Sequence, residues 1–436
     1  MENAEKKLGT TKIAPVEGNY LMIILILHAF VFFLVVTTSD GIRLNRSNVR
    51  SNSIPDSKKE TVDFCVKYGY PGEKHEVETK DHYTLTLHRI PYNGKNETAD
   101  RPVVLLQHGI VLSSDQWVLR GREDLVFLLS DQGYDVWMSN TRGTAYSKHP
   151  LYSKDDYKFW DYSLNELGNY DLPAIIDYIL NVTGKPQMTY LGHSRGVAMA
   201  MILLSSRPEY NSKINLLLGV APVIYSKKAK CPLYQLAGNR PNAFMRTSTL
   251  RDIIENAQLK NVLYTTKNTR NILTTFCRPG AILENLCPYA TFWVNGDDFQ
   301  MFNTTLSPLL ISHFTLGVGA KELLHLLQIS ESDKFRAFDY GTPRNLKIYG
   351  SAEPPQFNLS KVQVPTYLYY GPNDFFVSER DLFKLARELP NFMGSYKVPY
   401  PKFNHVDYIF ARNANDLLYP HIIAAVNKYN KRQLKV

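Results

Sequence analysis

Residues Gly192-His193-Ser194-Arg195-Gly196 place a serine between two glycines in the spacing G-x-S-x-G. A serine hydroxyl is a poor nucleophile until a neighbouring imidazole takes its proton. That imidazole in turn needs a carboxylate to fix its tautomer and stabilise its cation. The five-residue pattern is weak on its own, since roughly one unrelated chain in seven of this length would contain it from composition alone. Its position gives it weight: the apolar run 187–191 reads as a strand and a helical period begins at Arg195. A serine on such a tight turn presents its Oγ outward. Both glycines are then required, because side chains there would collide with the adjoining strand and helix.

The imidazole and the carboxylate are expected downstream, the acid after a late strand and the histidine in the loop beyond the last one. Asp374 follows the apolar run 364–370 in the turn Gly371-Pro372-Asn373-Asp374, and His405 lies in Phe403-Asn404-His405-Val406-Asp407. Asp407 is a competing carboxylate, but it stands two residues from His405 and reads as structural. Attack on an ester creates a negative oxygen that two pre-aimed donors must meet, and rigid backbone amides suit this best. The N–H of Arg195 is one candidate. The other is the N–H of Ile110, in the turn Gln107-His108-Gly109-Ile110 that ends the run 102–107.

Other chemistries find no support in the sequence. It contains no H-E-x-x-H, no Cys/His set at zinc spacing and no Walker A loop. Gly317-Val318-Gly319 lacks the third glycine and the preceding strand of a dinucleotide site. The expected reaction needs no metal and no cofactor.

Short apolar runs at 83–89, 102–107, 135–138, 187–191, 216–221, 364–370 and 396–399 alternate with helical patterns. The helical patterns fall at 122–132, 164–180, 195–206, 379–389 and 414–429. This alternation predicts an α/β fold with a mostly parallel central sheet. Residues 222–349 break the alternation and read as an inserted, mainly helical cap. The expected organisation is a targeting segment at 1–39, a polar linker at 40–60, the first part of the core at 61–221, the cap at 222–349 and the second part of the core at 350–436.

The 436-residue chain carries 50 Lys+Arg against 41 Asp+Glu, with 44% hydrophobic and 12% aromatic content, which excludes disordered, collagen-like and disulfide-knot classes. The net charge of +9 is scattered among acids apart from a basic cluster at 427–435, so nucleic acid is not the expected partner. Residues 21–36 form an apolar run broken only by His28 and read as an ER-targeting segment. Small residues near Thr38 favour cleavage, while the long polar lead and Arg43, Arg46 and Arg50 leave retention as an anchor open. Cys277 and Cys287, ten apart, can close a small loop in an oxidising lumen, whereas Cys65 and Cys231 carry no such argument. Glycosylation sequons at Asn45, Asn96, Asn181, Asn303 and Asn358 agree with secretion.

Together these residues resemble the acid lipase family of lysosomal acid lipase and the gastric lipases, within the α/β-hydrolases. The likeness spans residues 62–428. It runs through Tyr68-Gly-Tyr-Pro71, Arg101-Pro-Val-Val-Leu-Leu-Gln-His-Gly109, Asp135-Val-Trp137, Asn140 with Arg142-Gly143, and Phe159-Trp160. It continues through Tyr170-Asp-Leu-Pro-Ala174, Gly192-His-Ser194, Pro354-Pro355 ahead of Asn358, Asn373-Asp374 and Asn404-His405. The resemblance implies an α/β-hydrolase fold with a cap or lid, and a serine lipase acting on triacylglycerols or sterol esters at a lipid–water interface. It implies transient contact with a membrane or lipid-droplet surface, and a secreted or lysosomal location. It carries Ser194, Asp374 and His405 over as the triad and the amides of Ile110 and Arg195 as the oxyanion hole. Cys277 and Cys287 look like the family's cap disulfide, and Asn303 and Asn358 like its glycosylation positions.

Three departures stand out. Arg195 replaces the family's usual Gln, Asn295 stands near the place of a third cap cysteine, and the segment after His313 lacks the family's Pro-Ala-Gly. Two other functions fit the same fold: a noncatalytic lipid-binding relative, whose signature would be loss of a triad member, and a specialised short-chain acyl esterase.

Overall fold

The computed structural model describes residues 56–94, 100–232, 234–235, 246–264, 277, 286–314 and 316–430. The apolar run 21–36, most of the linker, Asn45, Asn96 and the end of the basic tail lie outside them. Among the described residues no helix is long and apolar enough to cross a membrane.

The main sheet is built from strands β1 (Glu73–Glu78), β2 (Thr84–Ile90), β3 (Val103–Gln107), β4 (Asp135–Ser139), β5 (Ser147–Lys148), β6 (Met188–His193), β7 (Ile214–Val220), β10 (Thr366–Tyr370) and β11 (Phe392–Lys397). Their order across the sheet is β1-β2-β4-β3-β6-β7-β10-β11, with β5 beside β2. From β4 to β11 every pairing is parallel, while β1, β2 and β5 add antiparallel partners at one edge. The central strands β3, β4 and β6 are buried along their whole length, as a parallel sheet covered on both faces requires.

Among the described residues the helices of seven residues or more are α1 (Thr61–Lys67), α2 (Leu125–Asp131), α3 (Leu172–Thr183), α4 (Arg195–Ser206), α5 (Thr247–Asn256), α6 (Leu286–Asn295), α7 (Ser307–Phe314), α8 (Ala320–Ser332), α9 (Thr342–Tyr349), α10 (Glu379–Glu388) and α11 (Tyr419–Asn430). Helices α5 to α9 fall between β7 and β10, in the stretch expected to form a cap. That stretch also holds a small antiparallel pair, β8 (Asn261–Tyr264) with β9 (Leu316–Gly319), where no strand was expected. Four-residue strands are too short to show a period.

Three elements differ from expectation for local reasons. The last strand begins at Phe392, not near 396, because as an edge strand it alternates between half-buried and exposed residues and carries Gly394 at φ +138°. It therefore lacks the continuous apolar run of a central strand. The helix expected at 414–429 is two helices, Ala414–Leu417 and α11, broken at Leu418 (φ −128°) two residues before Pro420. Proline has no N–H, so Pro420 cannot continue the hydrogen bonding of the preceding turn. The helix expected at 164–180 contains a wider π-turn over Leu167–Asp171, just ahead of Pro173. There Gly168 packs so closely that a Cβ would lie 2.5 Å from Ile202 of α4.

The π-turn also delivers Asp171 to Arg142, whose side chain is 1% exposed. The guanidinium donates from Nε to Asp171 Oδ1 at 2.8 Å and reaches Asp81 with both Nη atoms at 2.7 and 2.8 Å, while lying 4.0 Å from the centre of the Tyr83 ring. It ties the loop after β4 to the β1–β2 turn and to α3. Arg142→Ala leaves a wholly buried Asp171 without its cation. Stability should fall by about 3–5 kcal/mol in urea unfolding, far more than an exposed arginine would cost.

His325 of α8 is fully buried and donates from Nε2 to the Arg336 carbonyl at 2.8 Å. Burial pushes its pKa down to about 4, so between pH 6.5 and 4 the unfolded chain takes up a proton that the folded protein refuses. Wild type should lose this increment of stability as pH falls through that window, and a His325→Gln variant should not. The stability gap between the two, measured by denaturant unfolding, is expected to narrow by up to roughly 3 kcal/mol from pH 7 to pH 4.

Candidate active site

Ser194 joins β6 to α4 at φ +54° and ψ −114°, a backbone conformation in which few side chains are found. Its N–H donates to the Val220 carbonyl at the end of β7, at 2.8 Å. The flanking glycines are required by close approach. A Cβ on Gly192 would lie 2.7 Å from the Gly196 backbone and 2.8 Å from Val197 N, and one on Gly196 would lie 2.9 Å from the Gln107 carbonyl of β3. Strand and helix therefore press together around the serine.

Asp374 lies just beyond β10 and His405 in the loop after β11, both at the end of the sheet where Ser194 sits. His405 Nε2 stands 2.9 Å from Ser194 Oγ, and His405 Nδ1 stands 3.0 Å from each oxygen of Asp374. With Asp374 accepting at Nδ1, the ring carries its proton there and leaves Nε2 free to accept from the serine. Asp374 has its own supports: it accepts from the N–H groups of Phe376 (2.9 Å) and Val377 (3.1 Å) and from the Tyr408 hydroxyl (3.2 Å). Burial, with the Asp374 charge adding to it, holds the Tyr408 phenol far above its usual pKa, so it remains a donor.

Asp407 does not meet the imidazole. Its Oδ2 accepts from the Asn404 N–H at 2.7 Å, which shapes the loop that carries His405. Burial raises its pKa well above the carboxylate range, with the neighbouring Asp298 and Asp374 adding to the effect.

The two candidate oxyanion donors come from the start of α4 and from the turn after β3. The Arg195 N–H opens α4, where no intrahelical acceptor exists. Ile110 follows Gly109, which sits so tightly that a Cβ on it would lie 2.8 Å from His193 Nδ1 and 3.3 Å from Ser194 Cβ. His193 donates from Nε2 to the His405 carbonyl at 3.3 Å. Burial, reinforced by the nearby His405, pushes its pKa down to about 3, so it remains neutral.

Several contributors carried no signal at the sequence level. Residues Asn295 to Asp297, at the end of α6, form a strap across both loops. The Asn295 carbonyl accepts from His405 N (3.2 Å) and Phe375 N (3.3 Å), the Gly296 carbonyl from Asn404 Nδ2 (2.8 Å), and the Asp297 carbonyl from Asn373 Nδ2 (3.0 Å). Gly296 has φ +107°, and a Cβ there would lie 2.2 Å from the Asn373 carbonyl. The Asn-Gly dipeptide was the only available hint, and it signals a turn, not a partner. The Arg195 side chain, read from sequence only as a departure from the family, is 4% exposed and pairs with Glu322 of α8 at 2.7 Å.

Among the described residues no cluster of His, Cys, Asp and Glu could hold a metal ion. Cys277 is disulfide-bonded, and Cys65 and Cys231 are buried and form no disulfide; the Cys287 side chain lies outside the described part. Asn181 and Asn358 are exposed and Asn303 half-exposed.

Comparison with known proteins agrees with this architecture. Residues 61–121 match the family described as a partial alpha/beta-hydrolase lipase region, and residues 102–228 match the alpha/beta hydrolase fold. The chain is 36% identical to Lipase 1 of Drosophila melanogaster, over 88% of this chain and 83% of that protein. It is 34% identical to the gastric triacylglycerol lipase of Homo sapiens, over 86% of this chain and 93% of that protein. A solved structure from Sulfolobus solfataricus shares the fold at 14% identity, with a TM-score of 0.55 over 83% of this chain and 95% of that one. The chain is therefore a carboxylic ester hydrolase with the α/β-hydrolase fold and belongs to the acid lipase family.

Proposed function

We propose that the protein is a serine lipase that hydrolyses the ester bonds of triacylglycerols or sterol esters through Ser194, His405 and Asp374. The observation that carries this reading is the hydrogen-bonded line from Ser194 Oγ through the His405 ring to Asp374, at 2.9 and 3.0 Å. His405 takes the hydroxyl proton as Ser194 Oγ attacks the ester carbonyl, and Asp374 stabilises the resulting imidazolium. The oxyanion is met by the amides of Ile110 and Arg195. His405 then returns the proton to the departing alcohol. In the second half it activates a water that releases the fatty acid from the acyl-enzyme. A noncatalytic lipid-binding role finds no support, because all three side chains are present and aligned.

The choice of lipid ester is supported by the similarity to a gastric triacylglycerol lipase. Ser194 is only 3% exposed and His405 5%, with the strap at Asn295 to Asp297 and Glu322 of the inserted stretch packed against their loops. We take residues 222–349 as a lid that must shift to admit a long-chain ester. The apolar run at 21–36, the disulfide-bonded Cys277, which we pair with Cys287, and the exposed sequons at Asn181 and Asn358 support a secreted or lysosomal location.

Ser194→Ala should abolish both hydrolysis of emulsified triolein and labelling by a fluorophosphonate; retention of either rejects the assignment. Asp374→Asn should lower kcat by about three to four orders of magnitude while leaving the fold intact by circular dichroism. If residues 222–349 act as a lid, the rate on a butyrate ester should rise sharply as its concentration passes from dissolved to emulsified. A smooth saturation curve across that boundary would instead favour a short-chain esterase.

A further inference from the structure

We infer that Glu322 of the inserted stretch, acting through Arg195, Thr141 and His108, sets the orientation of the Ile110 amide. This makes Glu322 a positioning residue for the oxyanion site. The inference rests on the serine-hydrolase reading above and extends it to a group on α8, 127 positions from Arg195 in the chain.

Glu322, fully buried, accepts from Arg195 Nη1 at 2.7 Å. Arg195 Nη2 donates to Thr141 Oγ1 at 2.9 Å. The threonine's own hydroxyl proton is then free to point at His108 Nε2, 3.4 Å away, and the Thr141 N–H donates to the same nitrogen at 3.2 Å. Because Nε2 accepts, the neutral His108 ring carries its proton on Nδ1, which donates to the Gly109 carbonyl at 2.7 Å. Burial, with the Arg195 cation adding to it, holds the His108 pKa well below its usual value, so the ring remains in this neutral form. The 3.3 Å approach of Arg195 Nη2 to Nδ1 is then a contact between two donors, each of which has a better acceptor elsewhere.

The last link is covalent. A trans peptide is planar, so the Gly109 carbonyl and the Ile110 N–H point in opposite directions. Drawing the carbonyl toward His108 therefore aims the N–H away from it; the turn itself lies against Ser194, whose Cβ is 3.3 Å from where a Gly109 side chain would begin. The ion pair itself is poorly optimised for stability. Arg195 Nε and Glu322 Oε2 have no hydrogen-bond partner among the described residues, and a buried pair with a single contact does little more than offset its own desolvation.

The test uses the full-length enzyme and a soluble butyrate ester, with kcat, KM and melting temperature measured for Thr141→Val, Thr141→Ser, Glu322→Gln and the double variant Thr141→Val/Glu322→Gln. Thr141→Val is expected to lower kcat by roughly tenfold, part of the 10²–10³ that loss of a whole oxyanion donor costs, with KM within about twofold. Thr141→Ser, which keeps the hydroxyl, should retain kcat. Glu322→Gln should lower kcat comparably, and the double variant should fall no further than the worse single one, because both break the same chain. Binding of an alkyl trifluoromethyl ketone, whose hemiketal oxygen occupies the oxyanion site, should weaken in step with kcat. Unchanged kcat in Thr141→Val, or losses that multiply in the double variant, overturn the inference. The Thr141 pair decides the matter even if Glu322→Gln fails to fold. Wild-type enzyme that neither hydrolyses the ester nor labels at Ser194 would instead overturn the reading on which the inference rests.

Discussion

The structure turns on the close approach of β6, α4 and β3 around Ser194. A non-glycine residue at φ +54° is strained by about 1–3 kcal/mol and persists only where its surroundings overdetermine it. Here the Val220 carbonyl takes the serine N–H, and Gly192 and Gly196 allow strand and helix to meet at distances no side chain would permit. The buried parallel strands make the turn rigid, and the helix that follows leaves its first amides without internal acceptors. Local strain, a helix N-terminus directly after the serine and a hydroxyl within reach of His405 thus arise from one packing arrangement.

Around that turn, groups from distant parts of the chain are fastened by buried polar contacts, and apolar packing alone would not fix their direction. Arg142 ties three segments through Asp81 and Asp171. The strap at Asn295 to Asp297 joins the Asp374 and His405 loops through backbone carbonyls, and Glu322 reaches the guanidinium of the residue after Ser194. Apolar contacts tolerate small slides, whereas a hydrogen bond to a fixed carbonyl does not, and this is why polar groups are used where two loops must hold one imidazole between them. The same contacts bind the inserted stretch to the proposed catalytic loops, so any opening of that stretch would be felt at His405 and at Arg195.

Much of this arrangement was legible from residue order. The strand-to-helix position of Ser194, the turn that carries Asp374 and the loop that carries His405 each have a local signature, and the order of strands and helices brings their ends to one side of the sheet. Elements whose character depends on neighbours were harder to read. β11 is an edge strand without an apolar run, β8 and β9 are too short to show a period, and the π-turn at Leu167–Asp171 is set by Pro173 together with the packing of Gly168 on Ile202.

The sequence by itself determined the reaction class, because the strand-to-helix turn at Ser194 and the loops of its proposed partners are encoded by short stretches whose backbone geometry depends on the residues within them. Tertiary structure alone decided which groups support those partners. That Asp374 and not Asp407 faces the imidazole, that Tyr408 and an Asn-Gly strap brace it, and that Arg195 finds its counter-charge on Glu322 are facts of proximity between residues tens to hundreds of positions apart. No local propensity encodes such distances, because they emerge only when the whole core closes and every buried charge has to find a partner.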